Sequence, residues 1–171
     1  MMRELPEIHL RAIEPEDLDI LYTIENDVAL WNVGTTNVPY SRYMLHDYIA
    51  HANADIYQDR QVRLIIENRE GEVVGITDVV NFDPQHLRAE LGIVVMAPSR
   101  RQGYATAAIQ EMKRYAATVL HLHQLYVIVD EHNTAARNLF GNLAFKETAR
   151  LEHWLYNGHQ YHDALLLQVF L

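Results

Sequence analysis

The spacing of apolar residues along the chain predicts alternating strands and helices. Apolar and polar residues alternate from Ile8 to Ile13, as in a strand, whereas Leu18 and Leu21 begin a run at helical intervals. The element order read in this way is β-α-α-β-β-β-α-β-α-β-β. The seven predicted strands cover 8–13, 62–67, 73–82, 88–96, 124–130, 146–156 and 159–171, and the four helices begin at Pro15, Ser41, about Ala105 and Asn133.

Short turns indicate how the strands pair. Residues 68–71 and 83–85 are turn sequences that link three consecutive strands, so residues 62–96 are predicted to form an antiparallel meander. Asn157-Gly158 predicts a type I′ turn between the last two strands. A chain of 171 residues without a repeat or linker fits one domain, which we place at residues 1–171.

Composition excludes several classes of function. The formal net charge of −9 makes nucleic acid a poor partner. The chain has no cysteine, which removes disulfides, thiolate metal sites and a cysteine nucleophile. Residues 1–10 lack the apolar core of a signal peptide, and no apolar run reaches the roughly 18 residues that span a bilayer. We therefore expect a cytoplasmic protein that binds neither nucleic acid nor membrane.

Residues 100–105 carry the most informative chemistry. They read Arg-Arg-Gln-Gly-Tyr-Ala and stand where a predicted strand ends and a predicted helix begins. Gly103 allows the backbone to approach a ligand closely, and the helix start directs free N–H groups and a positive dipole end at the same point. With the charges of Arg100 and Arg101, the segment suits a pyrophosphate. An ordinary basic loop with a glycine turn has the same composition, so both interpretations stand on these residues alone.

This strand-loop-helix segment resembles the acetyl-CoA signature of the GCN5-related N-acetyltransferases (GNAT), Arg/Gln-x-x-Gly-x-Gly/Ala. A second family pattern occurs at Asn133-x-x-Ala136-x-x-Leu139-Phe140, followed by Ala144-Phe145. The resemblance covers nearly the whole chain and is strongest to the branch of spermidine and ribosomal-protein N-acetyltransferases. It implies an α/β (α+β) fold with a mixed sheet of about seven strands and four helices. In that fold a β-bulge splays the fourth strand from the fifth.

The resemblance implies acetyl-CoA as the cosubstrate and assigns its contacts. Backbone groups of Ile93, Val94 and Val95 would pair with the pantetheine arm, and an N–H near Val94 or Val95 would face the thioester oxygen. Asn133 would meet the pantetheine, and Arg137 would reach the nucleotide end. The residues implied for the pyrophosphate are Arg100, Arg101, Gln102, Gly103, Tyr104, Ala105 and Thr106.

Proton transfer depends on two further positions. An amine with a pKa of ~10 is only about 0.1% neutral at pH 7, so a base helps the reaction. Glu90 matches a family glutamate and is the candidate base; its alternative roles are a salt bridge with Arg88 or an ordinary solvated strand residue. Phe140 replaces the family tyrosine that protonates the leaving thiolate. Another tyrosine or water would then supply this proton, or the chain is an inactive acyl-CoA-binding sensor.

The acceptor is the least determined part of the prediction. The resemblance implies direct attack by a primary amine, either of a polyamine such as spermidine or of a peptide N-terminus. The spermidine enzymes place acids in a loop and a strand end that here read Gly34-Thr35-Thr36-Asn37 and Val79-Val80-Asn81. Three other acids remain without an assigned position, namely Asp47, Asp55 and Asp78.

The histidines of the chain are weighed as possible metal ligands. The chain has ten histidines, and His121/His123 and His159/His162 come nearest to the spacing of metal ligands. No cysteine or repeated acid-histidine pattern accompanies them, so we interpret them as surface residues and expect no metal. The resemblance also implies a homo-oligomer, a dimer or larger.

Overall fold

The computed structural model describes residues 4–30, 38–52 and 55–171. Within these residues the strands follow one another as the apolar pattern predicts. The strands are β1 (Ile8–Ala12), β2 (Val62–Asn68), β3 (Val73–Asp83), β4 (Arg88–Val95), β5 (Gln124–Asp130), β6 (Lys146–Tyr156) and β7 (Tyr161–Phe170). The helices are α1 (Leu18–Glu25), α2 (Arg42–Ala50), α3 (Ile56–Asp59), α4 (Tyr104–Thr118) and α5 (Thr134–Asn142). None of these helices is both long and apolar enough to cross a membrane.

The seven strands form one mixed sheet in the order β1-β2-β3-β4-β5-β7-β6. All neighbours are antiparallel except β4 and β5, which pair in parallel at only three positions. The last of these pairs joins Glu90 to Tyr126. Beyond it the two strands separate while each stays paired with its outer neighbour. The predicted sheet and its splay between the fourth and fifth strands are confirmed.

The bulge near this splay lies in β3. The β3–β4 register shifts between Val80 and Asp83 of β3, where Asn81 has a φ of 52°. From Glu90 to Val95, β4 pairs with β3 without a shift. The irregularity therefore bends β3 beside the last β4–β5 pair, and β4 itself remains regular along the gap.

Apolar groups cover the two faces of the sheet unequally. On one face, Leu125 and Val127 of β5 pack into the main core with Ile109 and Met112 of α4 and with Phe140 of α5. We call this the α4/α5 face.

On the opposite face, Ile24 of α1 packs against Ile65 and Ile76. We call this the α1 face. Because side chains alternate along a strand, Tyr126 and Ile128 of β5 point to the α1 face.

Two local predictions are wrong. The single helix predicted from 41 to 59 is two helices, because α2 ends at Ala50 and α3 begins anew with Asp55 as its cap. The described chain thus has five α-helices instead of four. The turn of the β6–β7 hairpin has Gly158 and His159 at its centre, since Asn157 N–H donates to the Gln160 carbonyl. Only Gly158 of this turn has a positive φ, 93°, whereas a type I′ turn requires positive φ at both central residues.

Candidate functional site

The gap between β4 and β5 exposes one edge of β4. Met96 N–H donates to the Val74 carbonyl of β3 at 2.8 Å. In an antiparallel pair, every second residue of a strand directs its backbone N–H and C=O groups to the same neighbouring strand. The backbone groups of Ile93 and Val95 therefore point into the gap, and those of Val94 point to β3. Two of the three residues expected to pair with a pantetheine arm thus offer backbone groups on the required side.

The loop between β4 and α4 closes one end of this gap. Arg100 Nε donates to the Val95 carbonyl at 2.9 Å, and Gln102 Nε2 donates to the Pro98 carbonyl at 2.9 Å. These bonds fasten the loop to the end of β4. Gly103 caps α4 with a φ of 96°, and a Cβ there would lie 2.9 Å from Cδ of Pro6. Both the backbone conformation and the available space therefore require glycine.

The start of α4 is suited to an anion. The first intrahelical bond runs from Ala107 N–H to the Gly103 carbonyl at 3.0 Å. The N–H groups of residues 104–106 therefore have no acceptor within the helix. The dipole of this 15-residue helix adds positive potential at the same end. Free N–H groups and the dipole together favour a phosphate or diphosphate.

A cavity of about 260 Å³ lies between this loop, the end of β4 and α5. Seven residues predicted to bind the cosubstrate line it, namely Val95, Arg100, Arg101, Gly103, Tyr104, Ala105 and Thr106. Ser99, Ala135 and Leu139 complete the wall, and the sequence analysis missed them. Ala135 and Leu139 are four residues apart and share one face of α5. This spacing, read from the cap at Asn133, is the signal that could have identified them.

Two further predicted cosubstrate residues, Asn133 and Arg137, lie apart from this cavity. Asn133 caps α5, since its side-chain oxygen accepts from Ala136 N–H at 3.0 Å. Arg137 donates to the Glu131 carbonyl at 3.1 Å and lies 3.6 Å from the Glu147 carboxylate. It lines a different pocket of about 350 Å³ between α5 and the β6–β7 hairpin. The structure does not bring Arg137 to the cavity at α4, and its contact with a nucleotide stays a prediction.

Phe140 is part of the hydrophobic core. It is 6% exposed, and its ring meets that of Phe145 edge-on with centroids 5.1 Å apart. Its packing partners are apolar residues of the α4/α5 face. The side chain has no proton to donate, so any acid that acts in this cleft lies elsewhere.

Glu90 lies on the α1 face at the last β4–β5 pair. Asn81 Nδ2 donates to Glu90 Oε2 at 2.9 Å. Arg88 pairs instead with Asp83, at 3.2 Å. The alternative role of Glu90, an ion pair with Arg88, is therefore not found in the described part of the chain. Its carboxylate is held at the point where the gap opens.

Tyr126 is directly opposite Glu90 in the parallel pairing, and sequence reasoning missed it. Burial raises the pKa of the Tyr126 phenol, and the negative charge of Glu90 raises it further. The phenol is therefore protonated at neutral pH. Only the register of β4 against β5 brings these two residues together, and no local sequence pattern reports that register.

A charged group borders the cleft on the α1 face. Arg63 donates to Asp78 at 2.6 and 3.1 Å and to Glu25 at 2.5 Å. Two carboxylates share one guanidinium, so the group carries one excess negative charge. Asp78 is opposite Gly92 of β4, where a Cβ would lie 3.5 Å from its carboxylate oxygen. The missing side chain at Gly92 leaves this carboxylate accessible from the cleft.

The other two acids whose position the sequence left open come earlier in the chain, one within a helix and one at the start of a helix. Asp47 pairs with His51 on the exposed surface of α2, at 3.1 Å. Asp55 accepts from Tyr57 N–H and caps α3. Of the three, Asp78 is the one on a strand beside the cleft.

A histidine cluster lies at the end of β5. Asp130, His132 and His162 place ligand atoms within 4.8 Å of one another. The Asn157 side-chain oxygen accepts from the N–H groups of residues 159 and 160, so its amide nitrogen donates to His162 Nε2 at 2.8 Å. His162 Nδ1 then carries the proton and faces Asp130 at 3.5 Å. This tautomer presents a proton instead of a lone pair, and the expected absence of metal stays a prediction.

The sequence profile of the acetyltransferase (GNAT) domain family matches residues 7–146, which is most of the chain. The chain belongs to the GNAT acetyltransferases. Among curated relatives, this acetyltransferase is similar to the spermidine N(1)-acetyltransferase of Escherichia coli (strain K12). The two are 28% identical over 167 residues, which cover 95% of this chain and 86% of the relative.

Two further similarities come from Vibrio cholerae. Its spermidine N(1)-acetyltransferase is 25% identical over 158 residues, covering 92% of this chain and 89% of the relative. The crystal structure of a Vibrio cholerae spermidine N-acetyltransferase in complex with CoA and spermine superposes with a TM-score of 0.83. Each chain is covered to 95%, at 23% identity, and this likeness concerns the fold. The predicted GNAT fold and an acetyl-transferring enzyme of the GNAT family are thereby confirmed.

Proposed function

We propose that this acetyltransferase moves the acetyl group of acetyl-CoA to a primary amine of a polyamine, by direct attack of the amine on the thioester. The observation that carries the proposal is the gap beside β4. It aligns the edge of that strand that has no β5 partner beyond Glu90 with the free N–H groups at the start of α4. This arrangement matches a cosubstrate that joins an amide-bearing arm to a diphosphate.

Each part of the cosubstrate has a counterpart in the protein. The amides of pantetheine would add to β4 at Ile93 and Val95 as an extra strand does, by main-chain hydrogen bonds. The diphosphate would lie at the N–H groups of residues 104–106, with Arg101 adding charge. A β4 N–H in the gap would face the thioester oxygen, where negative charge gathers during attack; losing such a donor costs ~3 kcal/mol.

The charge of the α1 face supports a polycationic acceptor. Glu25 and Asp78 exceed the charge of Arg63 by one, and Glu90 adds a further carboxylate next to the gap. A polyamine carries several ammonium groups and gains from several carboxylates, whereas a peptide N-terminus brings a single one. The similarity to spermidine N(1)-acetyltransferases points to the same acceptor. Residues 34–37, which lack acids, lie outside the described residues.

Glu90 is the proposed base. An amine becomes a nucleophile only after losing a proton, and the Glu90 carboxylate stands at the opening of the gap on the face with the acids. Asn81 holds the carboxylate by one oxygen, which leaves the other for the amine or for a water molecule. The amine attacks the thioester carbon, and the thiolate leaves without a covalent enzyme intermediate.

The test is release of free thiol from acetyl-CoA, measured with spermidine and with a short peptide bearing a free N-terminus. We expect turnover with spermidine and a kcat/KM at least 10-fold lower for the peptide. Intact-protein mass should stay unchanged during turnover. Tight acetyl-CoA binding without turnover on any amine would support the sensor alternative, and preference for the peptide would support an N-terminal acetyltransferase. A single domain, a homo-oligomer and a cytoplasmic location stay predictions.

A further inference from the structure

Phe140, at the position where the family acid stands, cannot supply the proton that the departing thiolate requires. Phe140 is buried against Phe145 and has no ionisable group. Tyr104 lines the cavity at the start of α4, at the end of the gap assigned to the diphosphate. Tyr48 stands with its ring 5.9 Å from the guanidinium of Arg63. Tyr126, by contrast, stands where β4 and β5 part.

We propose that Tyr126 is the general acid of this enzyme and gives its phenolic proton to the thiolate of CoA. The proposal rests on the proposed function, because it needs acetyl transfer from acetyl-CoA in this gap.

The position of Tyr126 follows from the strand register. Glu90 and Tyr126 form the last pair before β4 and β5 separate, so their side chains flank the closed end of the gap. Leu125 and Val127 point into the core of the α4/α5 face, which directs Tyr126 to the α1 face. A thioester lying in the gap would have Tyr126 on its α1-face side, whereas Phe140 packs within the core of the α4/α5 face. The acid would thus approach the sulfur from the face on which the amine enters.

The groups around Tyr126 favour its protonated form. Glu90 lies on the neighbouring strand, and Asp83 adds a second negative charge. Arg88 and the Asn81 amide act in the opposite direction. On the other side, Tyr126 pairs with the neutral Gln168 of β7. Burial and Glu90 together raise the pKa of the phenol, so a proton is available throughout the neutral range.

The proton balance closes on these two residues. The amine nitrogen bonds to the thioester carbon, and the carbon–sulfur bond breaks with its electron pair on sulfur. The Tyr126 proton passes to that sulfur and leaves a phenolate. Glu90 takes the proton that activates the amine and releases it to water, and it then takes the second proton, which the nitrogen loses once it is bonded to carbon. This second proton passes to the phenolate. Both side chains return to their starting states, and no other reactant is needed.

Tyr126→Phe tests the proposal in the full-length enzyme with acetyl-CoA and spermidine. We expect kcat to fall at least about 10-fold, in line with the loss of an acid–base group. The Kd for acetyl-CoA should stay within twofold, and the alkaline limb of the kcat profile should disappear. Introducing Phe140→Tyr into this variant restores an acid from the opposite face and should recover at least a third of the lost rate.

Three results would overturn the assignment while wild-type turnover stands. They are an unchanged kcat in Tyr126→Phe, a lower kcat with the alkaline limb intact, and no recovery on adding Phe140→Tyr. If Tyr126→Phe does not fold, 3-fluorotyrosine at position 126 replaces it. This lower-pKa phenol should move the alkaline limb to lower pH, and an unmoved limb contradicts the proposal. Absence of wild-type turnover on every amine is a separate result that contradicts the proposed function itself.

Discussion

The two halves of the sheet are held together in opposite ways. Between β1 and β3, arginines connect strands to neighbouring elements: Arg11 bonds to Asp17 and Glu67, and Arg63 bonds to Asp78 and Glu25. Between β4 and β5 there are three backbone pairs. Beyond them, no side-chain hydrogen bond joins the two strands in the residues that the structure describes. We call the first half, with the ion pairs of Arg11 and Arg63, the frame. The second half is a cleft, whose two strands separate because β4 stays paired with β3 and β5 with β7.

This difference separates stability from chemistry. Substitutions in the frame remove half-buried ion pairs, whose loss leaves a charge without its partner and lowers the stability of the fold. Substitutions in the cleft remove groups that face the proposed substrates and make few bonds to the rest of the protein. We therefore expect variants of the two halves to differ in which measurement they change.

The largest effect is expected for Glu90→Gln in the cleft. Loss of the base should lower kcat/KM for spermidine about 100-fold, equivalent to ~2.7 kcal/mol of barrier, and flatten its pH dependence. The melting temperature and the Kd for acetyl-CoA should stay near wild type. Glu147→Gln, an exposed isosteric change on β6, is the control and should keep full activity. A pH profile like that of the wild type would exclude Glu90 as the base.

Asp17→Asn tests the frame. Asp17 is 4% exposed and accepts from both terminal nitrogens of Arg11, at 2.7 and 2.9 Å, and from Glu14 N–H at 2.8 Å. The substitution leaves Arg11 with Glu67 as its remaining acidic partner, and we expect a loss of about 2 kcal/mol in the free energy of unfolding at pH 7. Denaturant titration measures it. The kcat of the folded fraction should be unchanged.

The stability that Asp17 contributes to the fold should decrease at low pH. The bonds from Arg11, followed by that from Glu14, lower the pKa of Asp17. A carboxylate whose pKa is lower in the folded than in the unfolded protein stabilises the fold at pH values above its unfolded pKa of ~3.9. This stabilisation is lost as the pH falls through the pKa of the folded protein. The difference between wild type and Asp17→Asn should thus shrink below pH ~4. Asp19→Asn is the control: Asp19 is 81% exposed, and its loss should change little. Equal losses of unfolding free energy in Asp17→Asn and Asp19→Asn would contradict a stabilising role of the Arg11–Asp17 ion pair.

The same division explains how much could be predicted from the sequence. The proposed cosubstrate end of the cleft is built from contiguous residues, because a strand end, a glycine and a helix start form one local unit. Seven predicted residues accordingly line the cavity there. The proposed acceptor side combines residues of α1, β2, β3, β4 and β5, and depends on strand register. The sequence identifies Asp78 as an acid but does not give its position, and it does not single out Tyr126, because both positions depend on strand register.

Local errors had local causes. Apolar residues at helical spacing from Leu45 onward predict one helix through the α3 segment. This spacing does not indicate that α2 ends at Ala50 and that a new helix begins after Asp55. Arg137 follows Asn133 by four residues, yet it bonds to the Glu131 carbonyl and faces Glu147. A motif position gives the place of the residue on a helix, whereas the direction of a long side chain is set by neighbours that the motif does not contain.

Gly103→Val should have a smaller effect, confined to the cosubstrate. The valine would adopt an unfavourable positive φ and press on Pro6, which displaces the N–H groups of residues 104–106. We expect the Kd for acetyl-CoA to rise about 10-fold in calorimetry. Gly158→Val is the matched control: Gly158 has a similar φ of 93°, in the hairpin turn, with open space around it. An unchanged Kd in folded Gly103→Val would contradict the diphosphate site.

Arg101→Ala should give the smallest change and separates charge from backbone at the same site. Arg101 lines the cavity, and no ion pair joins it to a carboxylate within the described residues. In the proposed site its charge would act on the diphosphate through water as well as directly, so the Kd for acetyl-CoA should rise about threefold at low salt. Because salt screens exposed charges over ~10 Å at 0.1 M, the difference should narrow as salt is added. Arg69→Ala, in the exposed turn between β2 and β3, should leave the Kd unaltered. A loss equal to that of Gly103→Val at all salt concentrations would mean that the side chain, and not the main chain at α4, dominates binding of the diphosphate.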